Sequence, residues 1–327
     1  MQRTKLGFNQ FGWGSLLMII IVAVLLTAGF SASSEAQGKG KKTFSSVEEA
    51  SHALITAIQS NDEKAILDVL GPDANQLVSS GDDVEDRQSR VKFVQEYAEM
   101  HRLVTEPDGT VTLYIGAENW PTPIPLVRKD NAWHFDTDAG KKEILFRRIG
   151  RNEISTIHVC RELVAAEKEY YSTHSNEYAQ KILSDEGQHN GLYWKVADGE
   201  PLSPIGPLVA SAVAEGYTRH KDNSPTPYRG YYYRTLTRQG KYNPGGPKNY
   251  IVNGKMTEGF AFVAYPAEYR SSGVMTFLVS TDGIVYEKDL GKKTAALAAT
   301  IKEYYPDAGW RKADGQPADP TAGQKSN

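Results

Sequence analysis

The chain has 327 residues, of which 37 are basic and 40 acidic, giving a formal net charge of −3. That balance excludes a nucleic-acid partner, because displacing counterions from phosphates takes a basic stripe that is absent here. Hydrophobic residues make up 40% and charged residues 24%, enough apolar material for true cores, and the length points to two of them.

Arg3 and Lys5 precede an uncharged apolar run over 15–30, and Ser34-Glu35-Ala36 then places small residues where a signal peptidase reads. The expectation is a signal peptide over 1–36 and a periplasmic or secreted protein. If the segment stays uncut, it is an anchor and the chain's only contact with a membrane. A polar spacer occupies 37–42. Ser46 and Glu49 form a capping box ahead of Val47, Ala50, Leu54, Ala57 and Ile58 at helical spacing. A second helix carries Ala65, Ile66, Val69 and Leu70 and stops at Gly71-Pro72. A third is expected over 86–102, with Val91, Val94, Tyr97 and Ala98 turned inward. Strands follow at 110–116, 125–129 and 132–136.

A long helix is expected over 139–174, its apolar stripe made of Ile144, Leu145, Ile149, Ile154, Ile157, Cys160, Val164 and Ala165. Arg147, Arg148, Arg151 and Arg161 stay in water, and Gly150 marks a kink or a division. After a short helix over 207–216 come four strands, at 230–237, 259–265, 274–280 and 284–290, the last two joined by the Asp282-Gly283 turn. A disordered tail covers 313–327. The fold class is α+β, with domains over 43–138 and 175–312 and the linking helix between them.

Element order in the first half resembles the cystatin-like, cone-shaped folds of the nuclear-transport-factor type. The second half, 153–179 followed by 259–291 with Phe277, Val279, Asp282 and Gly283, resembles the globular part of type IV pilin-like proteins. It departs from a true pilin in that Gly29-Phe30 closes the apolar run and Glu35 lies outside it. Segments 139–161, 230–236, 249–259 and 260–269 resemble the bacterial family catalogued as domain of unknown function 2950. The resemblance implies an exported envelope protein and supplies no catalytic residue.

No catalytic or metal residue and no cofactor is assigned. The seven histidines include no i,i+4 pair that would set two imidazoles on one helical face. His158 and Cys160 stand two apart, so on a helix they diverge. Ser89-x-x-Lys92 reads as helix surface, the acids from Asp82 to Asp86 as complement to a helix N-terminus, and Glu162, Glu167 and Glu169 as a solvated face. Tyrosines are dense from Tyr228 to Tyr269. Tyr228, Tyr231, Tyr233, Tyr250 and Tyr265, with Arg234, are the candidate binding surface, suited to stacking sugar rings or pinning a peptide. The expected function is a non-catalytic binding or structural module for a protein partner or cell-envelope polymer. An envelope hydrolase with a site built from distant residues and a pilus-associated accessory subunit are the alternatives.

Overall fold

The computed structural model describes residues 41–196, 202–215, 217, 225–241, 243 and 245–313. The expected export segment, the spacer before Lys41, His220, Tyr242 and the tail beyond Ala313 lie outside the described residues.

Helix starts in the first half follow the capping chemistry of the sequence. Ser46 Oγ accepts the Glu49 N–H at 3.1 Å and opens α1 (Val47–Gln59). The Glu49 carboxylate reaches back to the N–H of Ser45, not Ser46, so the expected box is displaced by one residue. Asp62 caps α2 (Glu63–Leu70), which ends at Gly71 with φ +89°, a backbone that a side chain would strain. A 3-10 turn (Pro72–Ala74) and α3 (Asn75–Val78) lead to α4 (Asp83–Glu99), capped by Asp82. This helix starts three residues earlier than expected and ends sooner. Val94 and Tyr97 turn inward, but Val91 is 50% exposed and Ala98 is exposed, while Asp86 and Phe93 take the inner positions. The residues after it form β1 (His101–Thr105), which pairs with β2 (Val111–Ile115). With β3 (Trp120–Pro121), β4 (Leu126–Lys129) and β5 (Ala132–Phe135), they make an antiparallel sheet in the order β1-β2-β4-β5, with β3 on β2. Its core gathers Leu54, Ile66, Leu70, Val111, Leu126 and Phe135.

Next comes α5 (Thr137–Thr173), 37 residues without a break at Gly150 and about 55 Å long. Helix α6 (Gly206–Ala214) follows, then β6 (Tyr231–Leu236). Two short pairs, β7 (Arg238–Gln239) with β8 (Lys248–Asn249) and β9 (Ile251–Val252) with β10 (Lys255–Met256), precede the main strands. These are β11 (Ala261–Pro266), β12 (Met275–Ser280) and β13 (Tyr286–Asp289); α7 (Thr294–Thr300) and β14 (Arg311–Lys312) complete the chain. The sheet order is β14-β13-β12-β11-β6, antiparallel throughout, so the four expected strands gain a fifth from residues 311–312. The ladder between β12 and β13 closes at Leu278 and Tyr286, wider than a two-residue hairpin. Asp282 instead accepts the Ile284 N–H, and Gly283 takes φ +73°. Phe260, Phe262, Phe277, Leu192 and Met256 are fully buried against α5 and its neighbours. The fold is α+β.

The inward face of α5 differs from its expected stripe. Ile157, Cys160 and Val164 are buried, but Ala165 is exposed, and Val159, Leu163, Glu167 and Tyr170 are buried in addition. Glu167, expected in water, is 0% exposed. Arg148, likewise expected outside, turns in and donates to the carbonyls of Gln76 at 2.8 Å and Leu77 at 2.7 Å. Both departures share one cause. A 37-residue helix packed at both ends buries more than one stripe can cover, and the polar residues on that extra arc must find partners inside.

A polar seam fastens the first half to the second. Asp82 Oδ2 accepts the Gly230 N–H at 2.8 Å and the Tyr217 hydroxyl at 2.9 Å, while Oδ1 accepts the Glu85 N–H. Glu85 in turn accepts from Arg151 at 2.5 Å and from Asn152 at 3.0 Å. Asn152 also donates to the Ser272 carbonyl.

Candidate functional site

A cavity of about 520 Å³ lies where α5, α6 and β6 approach one another. Val159 and Leu163 of α5 line it from one side. Helix α6 adds Leu208, Val209, Ala212 and Val213. Pro207 sits at its start, where a missing N–H costs nothing. Ile182, Leu183 and Tyr193 come from a segment tied to itself by Ser184 N–H to Tyr193 O at 2.8 Å and Tyr193 N–H to Ile182 O at 2.9 Å. Tyr217, Tyr228, Tyr232 and Tyr233 close the cleft.

Its chemistry is narrow. No acidic, basic, histidine or cysteine side chain lines the cleft among the described residues. The hydroxyls are partly spoken for: Tyr217 donates to Asp82, and Tyr233 to Thr156 at 3.3 Å. Burial raises the Tyr217 and Tyr233 phenols well above their ordinary range, so neither ionises near neutral pH. Meanwhile α6, built from GPLVASAVA, has no fully buried residue, and Val213 and Leu183 are 56% and 39% exposed. An almost wholly apolar helix that leaves this surface in water is the signature of a face meant to be covered.

The six residues singled out from the sequence scatter. Tyr228 and Tyr233 line the cleft, joined by Tyr232 from the same edge strand. Tyr231 is fully buried; it donates to the Met275 carbonyl at 3.0 Å and packs on Phe277. Tyr250 is 2% exposed, and burial pushes its phenol up to about 12. Tyr265 lies cross-strand from Tyr232, ring centroids 5.5 Å apart. Arg234 turns away from the cleft and donates to the carbonyls of Ala298 and Ile301, capping the C-terminus of α7. These positions therefore form no single exposed platform. The aliphatic lining was not singled out from the sequence, although the unrelieved apolar run of α6 was the signal for it.

Elsewhere, Cys160 is buried with its thiol pushed up to about 12, and His158 is exposed, so the two make no thiolate–imidazole pair. Among the described residues no three His, Cys, Asp or Glu side chains converge to hold a metal ion, and no helix is long and apolar enough to cross a membrane.

The sequence model of a family described as Protein of unknown function (DUF2950) matches residues 41–313. No curated protein and no solved structure matches the chain.

Proposed function

We propose that this chain, which belongs to the family described as Protein of unknown function (DUF2950), is a non-catalytic binding module whose cleft receives apolar side chains of a protein partner. The observation that carries the reading is the lining itself: aliphatic and tyrosine surface without a charged group among the described residues. Hydrolysis needs an acid or base that titrates near the working pH, and the described residues of the cleft include none. Sugar polymers are held by dense polar hydrogen bonding around one or two stacked rings, whereas here aliphatic side chains from α5, α6 and the 182–193 segment predominate. That composition favours a protein over a cell-wall polymer. The partner is sought outside the cytoplasm, in keeping with the basic start and apolar run of residues 1–36.

The test is photo-crosslinking in the native host from a reactive residue placed at Val213, with Lys168, an exposed position on α5, as the control site. A discrete adduct from 213 that disappears on Val209→Arg is expected. Equal labelling from both positions, or no adduct at 213, defeats the reading.

A further inference from the structure

A second cavity, of about 330 Å³, lies in the first half beneath α4. Most of its wall is apolar, including Leu54, Ile58, Leu70 and Phe93. Four charged residues line it: Glu96 pairs with its helix neighbour Lys92 at 3.6 Å, whereas Asp86, Arg90 and Arg148 all bond the backbone of residues 76–80. These last three therefore share one end of the space. Trp120, 47% exposed, also lines the cavity and marks where it meets solvent.

The three are not equally satisfied. Arg90 is engaged by Glu63 at 3.1 Å, Asn61 at 2.8 Å and the Val78 carbonyl at 2.7 Å. Arg148 donates to two carbonyls and, at 3.4 Å, to Ser271 Oγ, and forms no ion pair among the described residues. Asp86 accepts the Ser80 N–H through Oδ2 at 2.8 Å and a hydrogen bond from the Ser80 hydroxyl, two donors for a carboxylate that can accept about four. Burial draws the Asp86 carboxyl up and the Arg148 guanidinium down. A donor and an acceptor are thus left with spare capacity at the inner end of an apolar space, where unmet capacity is costly.

We infer that this cavity binds a small amphipathic molecule with an aliphatic chain and an uncharged head of the carboxamide class, which accepts from Arg148 and donates to Asp86. The head is uncharged because the end carries both signs. An anion attracted by Arg148 meets Asp86, and a cation attracted by Asp86 meets Arg148. The chain runs along Leu54, Ile58 and Phe93 toward Trp120. The inference is independent of the cleft beneath α6, since the two cavities share no lining residue.

Three eight-carbon probes, octanamide, octanoate and octylamine, separate the possibilities by titration calorimetry and Trp120 emission on the purified chain. Octanamide is expected to bind saturably at one site, with Kd on the order of 10–100 μM for a ligand of this size. The charged probes are expected to bind at least tenfold more weakly. Asp86→Asn puts an N–H2 donor where one carboxylate oxygen stood, and losing the acceptor there is expected to weaken octanamide about tenfold. Ile58→Phe fills the cavity without touching the polar end and is expected to abolish binding with the melting transition retained, so the test survives if Asp86→Asn fails to fold. Absence of saturable octanamide binding, equal binding of a charged probe, or undiminished binding by Ile58→Phe each overturns the inference.

Discussion

Two buried carboxylates, one in the seam between the halves and one on the distal part of α5, do the same local job in opposite circumstances. Asp82 holds the Gly230 N–H, and Glu167 holds the Ala179 N–H at 2.9 Å. Asp82 has two further donors, from Tyr217 and Glu85, shared over its two oxygens. Among the described residues Glu167 has that single donor, and its other oxygen is buried without a partner. Burial raises the pKa of both, but for Glu167 only one N–H opposes it, and the carboxyl is pushed up to about 8. The contrast teaches that burial alone does not set the cost of a carboxylate; the number of donors brought to it does.

The sharpest way to break the comparison is to remove the better-served acid. Asp82→Ala strands the Gly230 N–H and the Tyr217 hydroxyl inside the seam and is expected to cost about 4 kcal/mol in denaturant unfolding. A loss under 1 kcal/mol would mean that water replaces the carboxylate and the seam is not dry. Glu167→Gln tests the other side. The unfolded chain releases this proton near its ordinary value of 4.5 and the folded chain near 8. The contribution is therefore fully present at and below pH 4.5, and stability falls as pH rises toward 8. The substitution should leave stability at pH 5 nearly unchanged and raise it by about 3 kcal/mol at pH 8. Parallel stability–pH curves for the two proteins would refute the assignment. The smallest effect is expected at the rim of the seam. Glu85→Gln keeps the shape but leaves one oxygen for two donors, Arg151 and Asn152, and with the Arg151 side chain 58% exposed the change is expected to be about 1 kcal/mol, its Arg151 part shrinking in salt.

Local chemistry was the legible part of this fold. Ser46 before an apolar period of 3.6 and Gly71-Pro72 as a stop stand where the sequence puts them, and the strands expected over 230–237 and 274–280 fall within one residue of those bounds. What could not be read depends on partners far along the chain. Whether Glu167 faces water is decided by a backbone N–H twelve residues away, and the burial of Tyr231 by the Met275 carbonyl, 44 residues away. The tyrosine cluster illustrates the limit well: alternation on β6 is visible in the sequence, but not which side of the strand is packed. The cleft was nearer to hand, since Gly206–Ala214 has no polar face and so advertises an apolar contact on every side.

Because α5 runs unbroken past Gly150, the two cavities have a wall in common cause though not in common residues. Arg148 borders the smaller one and Val159 the larger, eleven positions along the same rod, a rise of about 17 Å. An occupant that slid or turned this rod at one station would displace the lining at the other with it. Any change in affinity that such a displacement carried from one cavity to the other would be returned by the same factor.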